Sequence, residues 1–574
     1  MNKQLRITLL ALCMMVTTAF YSAAFTVDGI TYGVLSADNA TVEVKSGNYS
    51  GDIVIPEKVK DGGVEYTVTA IGNSAFYYCY SITSITMPNT ITSIGESAFE
   101  VCAGIKTITI PESVTTIGNG AFGYCNSLTS LFIPKNVTSI ATYITYGAKK
   151  LQEITVDEGN PNYASYDGGL YDKNITTLYA YPNKRYEDVV LPEGLTTIMD
   201  GAFWECSDIK SIAVPESVTT LKPFCFYSCE KLTSITLPQN ITTIPQGAFY
   251  YCTSLEAAVV PDNVTNIGQT AFANCDNLKS VKIGTGVTSI GMSAFMNSAN
   301  LSDLVLPAGL KSLGMSSLRG TAIETITIPK KCTSIGDYTF MSCNKLKEIL
   351  VESGNTKFKS IDGMLCDYQG WKVIAWPGGK AAEYSIPAGI TNIGDESFYY
   401  CETLEKIELC NDVTTIGSYA FGDDTSLKTV ILGEKVSSIK DGAFSGCSSL
   451  SEIYCNNPTP VTITADVFKN VAAANCTLYV PAGAKSAYES AAVWKTFKIK
   501  EQTTSIEDKL AENLKVRAIA GSILVEGIIE NEVEVFSISG ELIYKGTDST
   551  IAVNQPGIYL VRVGNEAKKI IVRF

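Results

Sequence analysis

There is no histidine among the 574 residues. Imidazole is the commonest general base at neutral pH and the commonest metal ligand, so Ser-His-Asp and Cys-His catalysis and His-ligated zinc are excluded from this chain. There is also no Cys-x-x-Cys pair, the usual half-site of a thiolate metal centre. No segment approaches the ~18 consecutive apolar residues of a membrane span. Basic residues are outnumbered: 44 Lys+Arg against 58 Asp+Glu give a net charge of −14, with no global positive field for nucleic acid or anionic lipid. What is abundant is apolar: 45% hydrophobic against 18% charged residues, enough to bury a large core.

The N-terminus reads as a secretory signal. Lys3 and Arg6 precede an apolar run from Ile7 to Phe20, and Ser22-Ala23-Ala24 supplies small residues before a cleavage site ahead of Phe25. Leu12 stands before Cys13 where a lipoprotein signal has a small residue, which argues against lipidation there. Removing residues 1–24 takes the net charge to −16.

A 23-residue period then runs through the chain. Phenylalanine recurs at Phe76, Phe99, Phe122, Phe203, Phe226, Phe249, Phe272, Phe295, Phe340, Phe398, Phe421 and Phe444, with Leu318 and Thr145 in degenerate slots, fourteen turns in all. Prolines keep the same phase at Pro88, Pro111, Pro134, Pro215, Pro238 and Pro261. A fixed period of this size predicts a solenoid. Two intervals are longer, Thr145 to Phe203 and Phe340 to Phe398, each 58 residues, one period plus 35. Asp167-Gly168 lies 195 residues before Asp362-Gly363, and Tyr181-Pro182 lies 195 before Trp376-Pro377, so the two 35-residue insertions are copies of one module. An Asp-Gly turn between apolar runs predicts a β-hairpin in each.

Within a period, Leu128-x-x-Leu131-x-Ile133-Pro134 alternates like a strand ended by proline, and Ile-Gly-x-x-Ala-Phe-x-x-Cys fits a short helical or 3₁₀ turn whose phenylalanine plugs the core. The repeated Ile-Thr-Ser-Ile-Gly-x-x-Ala-Phe-x-x-Cys-x-x-Leu-x-x-Ile-x-Ile-Pro pattern resembles the BspA-like leucine-rich repeat family of bacterial surface proteins over roughly Val68 to Tyr454. The resemblance implies a right-handed β/α coil solenoid. It also implies a non-enzymatic role in cell-surface adhesion, with a macromolecular ligand on a host or neighbouring cell, protein or glycan.

The expected layout is a β cap over residues 25–67, the solenoid over 68–455, a capping coil over 456–500 with Tyr488 and Trp494 as a terminal plug, a linker over 501–509, and a small β-sandwich over 510–574. The Val533-to-Leu542 core and the Pro556-Gly557-Ile558-Tyr559 step resemble the C-terminal sorting domain of type IX secretion substrates, which implies outer-membrane export and surface attachment; a plain β domain is the alternative.

Other candidates for chemistry have simpler readings. Cys79, Cys102, Cys125, Cys206, Cys229, Cys252, Cys275, Cys343, Cys401 and Cys447 all lie three residues after the phenylalanine slot. They form one column that reads as buried thiols, with bridges between adjacent coils or metal ligation as the alternatives. Gly284-Thr285-Gly286 is explained by the repeat rather than by a phosphate loop, since Gly284 takes a proline slot. The acidic pairs Asp395-Glu396 and Asp423-Asp424 read as solvated turns. No cofactor is implied.

The strand face turned away from the core is the natural contact surface of a solenoid. Most of its predicted side chains are Ser or Thr, which suit an exposed ladder. The departures are Phe132, Val259, Val305, Leu350, Ile431 and Tyr454, outward apolar residues able to anchor a protein. In the modules, Tyr163, Tyr166, Tyr179 and Tyr181, with Trp371 and Trp376, are candidates for contact with sugar or protein and the basis of an alternative reading as a glycan-capture or scaffold protein.

Overall fold

The computed structural model describes residues 24–502, 515–519, 522–526, 532–537, 541–553, 555–563 and 566–572; the signal segment before Ala24 and the linker after Gln502 lie outside them. Two compact units divide the chain. One holds the coils up to Lys428 with Val436–Leu450 and Ile463–Val471, and the other holds Thr429–Lys435, Ser451–Thr462 and the chain from Ala472 onward.

In the first unit each period closes one coil with three sides. The first side is a two-residue strand, such as Ser93–Ile94, in parallel register with Thr116–Ile117 and then Ser139–Ile140. The second is a strand of two to five residues; Asp188–Val190, Ser211–Ala213 and Ser234–Thr236 pair in parallel at one-coil intervals. The third side carries the phenylalanine. The helical or 3₁₀ turn expected there is a run of overlapping turns: the Ala75 N–H donates to Gly72 O and the Cys79 N–H to Phe76 O, spacings of 3₁₀ type. No helix continues, because Ser74 and Tyr78, like Ser97 and Val101 one coil on, have positive φ. That conformation costs a non-glycine residue about 1–3 kcal/mol. It is offset by bonds to the next coil: the N–H groups of Ser74, Phe76 and Tyr78 donate to Glu96, Ala98 and Glu100.

The phenylalanine rings stack down the interior, with neighbouring centroids 4.8–5.6 Å apart from Phe76 to Phe122, from Phe203 to Phe295 and from Phe398 to Phe444. The column is longer than fourteen slots. Tyr49 stacks before Phe76, Phe468 follows Phe444, and each module adds an aromatic of its own, Tyr181 on Phe203 and Trp376 on Phe398.

The cysteine column lies beside it, its thiols free. Along much of it the S–H reaches the backbone carbonyl of the preceding coil's column residue: Cys102 to Phe76, Cys125 to Phe99, Cys252 to Phe226, Cys275 to Phe249 and Cys447 to Phe421, at 3.0–3.2 Å. Ser298 takes one slot and donates to Phe272 O at 2.7 Å. The slot therefore selects a small residue carrying one donor. Burial pushes the Cys125 thiol up to about 12, so these sulfurs stay protonated.

Asp424 corrects the reading of its acidic pair as a solvated turn. It lies three residues after Phe421, in the cysteine column, and is fully buried. Neither carboxylate oxygen has a partner at hydrogen-bond geometry. Burial pushes its carboxyl up to about 8, offset only in part by the nearby backbone N–H groups of Ser426 and Leu427. Asp423 is half-buried and accepts from the Tyr399 hydroxyl, whereas Asp395 is exposed.

Each module is a hairpin added to the first ladder. Tyr163–Tyr166 and Gly169–Asp172 pair antiparallel across Asp167-Gly168, and Phe358–Ile361 and Met364–Asp367 across Asp362-Gly363. All four turn residues have positive φ, as a two-residue type I′ turn demands. A third strand, Thr177–Ala180 or Lys372–Ala375, returns to parallel pairing with the next coil. The sequence reading missed the fastening of each module. Asn160 is buried, donates to the carbonyls of Pro134 and Val137, and accepts from the N–H groups of Asn162 and Tyr163. Asn355 does the same with Pro329, Cys332, Lys357 and Phe358.

In the second unit Thr429–Leu432, Glu452–Cys455, Thr477–Val480 and Lys498–Glu501 form a parallel ladder. Buried Tyr488 and Trp494 are tied to the carbonyls of Asn457 and Val461, each at 2.8 Å. Beyond it, a three-stranded and a four-stranded antiparallel sheet share a cluster that includes Ile523, Val525, Val535 and Val561.

Two stability predictions follow from these columns. Phe249→Ala leaves a hole with no coil able to collapse into it and lowers stability by about 3–5 kcal/mol, read as a fall in the urea midpoint. Asp424 holds its proton in the folded chain between about pH 4 and 8, a window in which the unfolded chain releases it, so its contribution to stability is lost as pH rises through that range. Asp424→Cys should melt with the parent near pH 4 and progressively above it toward pH 8, by on the order of 4 kcal/mol at pH 7.

Candidate ligand-binding surfaces

Strands of the second ladder turn two residues outward around a buried one, and the later of the two forms a column along the ladder. In the first unit its register reads Val54 beside Thr86; Phe132 beside Thr155; Val190, Ala213 and Thr236 in succession; Val259 beside Lys282; and Thr327 beside Leu350. Val305 continues it one residue past Asp303–Leu304 and is 76% exposed, and Val190 is 73% exposed. Phe132, Val259 and Leu350 are exposed as well. Small, hydroxyl or lysine side chains separate these apolar ones. In the second unit the pattern changes: Ile431, Tyr454 and Tyr479 are consecutive in register and half-buried. The two tyrosine rings stack at 4.5 Å, and Lys500 covers Tyr479 with its ammonium 5.9 Å from the ring centroid. Sequence reasoning missed Val54, Val190 and Tyr479, although Val190 lies one period before Ala213.

Flanking this column, lysine and glutamate pair across one coil at Lys210–Glu187, Lys279–Glu256, Lys347–Glu324 and Lys428–Glu405, at 2.8–3.1 Å. All are exposed, so each contributes little to stability. Their effect is to neutralise the border of the column.

The module aromatics separate into two groups. Trp371 is 59% exposed and Tyr166 is exposed. Tyr163 is buried with its hydroxyl accepting from the Ile140 N–H, Tyr179 is half-buried against it, and Tyr181 belongs to the interior column. Trp376 is only 4% exposed, stacked on Phe398 and packed against Tyr384, and is therefore no surface contact. The cause is its register: it fills the slot one coil before Phe398.

Each module also opens the third side of the stack. Only 8 residue steps separate Ala180 from Asp188 and Ala375 from Glu383, where 13 separate Ile198 from Ser211 and Ile393 from Lys406. The shortened loop leaves a cleft between flanking coils. At the first module it is closed by an aromatic pile unremarked in the sequence: Tyr143 and Tyr146 pack edge-on against Trp204, and Tyr227 stacks on Trp204 at 3.9 Å. At the second it stays open, a cavity of about 190 Å³ whose lining includes Tyr338, Trp376, Glu396 and Tyr399. The Tyr338 hydroxyl donates to Glu396 and that of Tyr399 to Asp423, both at 2.7 Å. These bonds and burial raise both phenols to about 12. Among the described residues no group of His, Cys, Asp and Glu side chains has the arrangement of a metal site, and no helix is long and apolar enough to cross a membrane.

Three solved structures show partial likeness to this chain. A leucine-rich repeat protein from Bacteroides ovatus is 25% identical, with 83% of this chain and 100% of that one covered at a TM-score of 0.37. A leucine rich cell surface protein from Faecalibacterium prausnitzii is 21% identical, with 82% and 97% covered at 0.34. The pneumococcal vaccine antigen PcpA is 18% identical, with 84% and 99% covered at 0.28. No curated protein matches the chain. The model of the BspA type leucine rich repeat region matches residues 58–166, 174–301, 265–362 and 378–491, most of the coils described above, and the chain belongs to that family.

Proposed function

We propose that the chain is an exported, non-enzymatic surface protein that binds a protein ligand along the outward column of its second strand ladder. The supporting observation is the set of apolar side chains left exposed there, Val190, Val259 and Val305 above all. A coil gains nothing for its own fold from an exposed valine at a position where its neighbours carry threonine or lysine. Anchors spaced by hydroxyls, with a neutralised border, suit a partner that lies along several coils and buries one anchor at each of several points. Membership of the repeat family, in a chain with no histidine to supply a base, agrees with binding rather than turnover. The tail, resembling a type IX sorting domain, delivers the chain to the envelope in this reading.

Two measurements test it. On an array of immobilised host matrix proteins, Val259→Asp with Val305→Asp should weaken saturable binding about tenfold or more while the melting temperature stays put, since both side chains are solvent-facing; unchanged binding rejects the column. Mass spectrometry of surface material should find a mature C-terminus near Gln502, whereas surface-exposed protein ending at Phe574 rejects processing of the tail.

A further inference from the structure

We propose that the open cleft of the second hairpin module is a binding site for one neutral pyranose ring, the terminal residue of a glycan. It faces the third side of the coils, not the strand column, and stands independently of the protein-ligand reading.

The first observation is the contrast between the two copies. Their frameworks coincide at an offset of 195 residues, including the asparagine fastenings, the Asp-Gly turns and the shortened loops. The fillings do not. Tyr146, Asn183, Trp204 and Tyr227 of the first copy correspond to Met341, Gly378, Tyr399 and Gly422 of the second. Asn183 is buried with its amide bonded to Trp204 O at 2.8 Å; Gly378, which lines the cavity, places no side chain there. Four substitutions toward smaller or more flexible side chains thus keep open what the sister copy closes, creating space for several waters or one hydroxylated six-membered ring.

The second observation is the chemistry of the wall. The Trp376 indole N–H is buried and has no hydrogen-bond partner, although its residue lines the cavity. An orphaned buried donor costs about 1–3 kcal/mol unless something accepts from it. Asp337, Asp395 and Glu396 also line the cavity and offer acceptors, and Lys372 adds a cationic donor. An anion is opposed by the three carboxylates. A cationic amine is drawn by the carboxylates but meets Lys372 and leaves the indole N–H unanswered, since it has no acceptor. A ring bearing several hydroxyls donates to carboxylates and accepts from the indole at once, while Tyr338 and Tyr399 give its apolar face a surface to rest on.

The test uses the full exported chain and a panel of neutral methyl pyranosides at millimolar concentration, read by saturation-transfer NMR and tryptophan fluorescence. At least one should bind saturably. Trp376→Phe keeps an aromatic ring in the stack but removes the donor, and should weaken that binding about tenfold. The combined variant Met341→Tyr, Gly378→Asn and Tyr399→Trp restores three of the four side chains that fill the first module, and should abolish binding while the chain stays folded. Should that variant misfold, Trp376→Phe alone decides. No pyranoside binding, binding indifferent to Trp376→Phe or to a folded filled variant, or binding of tetramethylammonium in place of the sugars overturns the proposal.

Discussion

A coil of this chain cannot bury its own apolar face, and the structure depends on that deficiency. Ile94, Phe99, Cys102 and Ile105 are shielded only because the coils before and after place the same kinds of atom above and below them. Backbone groups obey the same constraint: the turn-side N–H of one coil is satisfied by a carbonyl of the next, which is why Ser97 and Val101 are held at a positive φ that neither would adopt in isolation. Interior positions are therefore locked to their column. Most slots of one column repeat a ring and most slots of the other a small residue, with Thr145, Leu318 and Ala148 as departures.

This explains which features were legible in sequence. The phenylalanine, proline and cysteine columns announce themselves because stacking forces a constant period, and the Asp-Gly hairpins because a type I′ turn accepts few other residues. The aromatic slots of Tyr181 and Trp376 were hidden since the module shortens its third side and shifts the phase, which made Trp376 look like an exposed candidate when it is stacked on Phe398. Asp424 was misjudged for the opposite reason: its register gave the right place, and residue type suggested solvent. The structure sides with register. A carboxyl that keeps its proton is small and uncharged enough to be buried there, so an acidic residue occupies a thiol's position at the cost of pH-dependent stability. Overlapping turns in place of a helix were not legible, because both give the same three-residue spacing and nothing in Ser74 or Tyr78 advertises a left-handed backbone.

If interior columns are locked, variation is confined to outward positions and to places where stacking is interrupted. The second ladder shows the first kind, with valine at Val259 and Val305, lysine at Lys282 between them and threonine at Thr236 and Thr327 on either side. Strand geometry permits either, because only Ala258 and Leu304, facing the opposite way, contribute to the core. Affinity gathered on such a column comes from anchors spread over several coils. Each alone is weak, and a ligand must be long enough to reach more than one.

The modules show the second kind, and here the physics differs. Shortening the third side after Ala180 or Ala375 removes one coil's share of turn, and the stack must either fill the space or leave it. The fastenings at Asn160 and Asn355 separate that choice from folding of the hairpin: each satisfies its four hydrogen bonds entirely within the hairpin and the coil before it, and neither lines the cleft. Side chains around the cleft can then change without loosening the hairpin. The first copy spent that freedom on Tyr146 and Trp204, which bury one another; the second kept Trp376 in the stack with its N–H unanswered. The first copy also buries unmet donors, the Trp204 N–H and the Tyr181 hydroxyl, but packs side chains against them; the unmet N–H of Trp376 belongs to a residue that lines open space, where a bound acceptor can relieve the penalty.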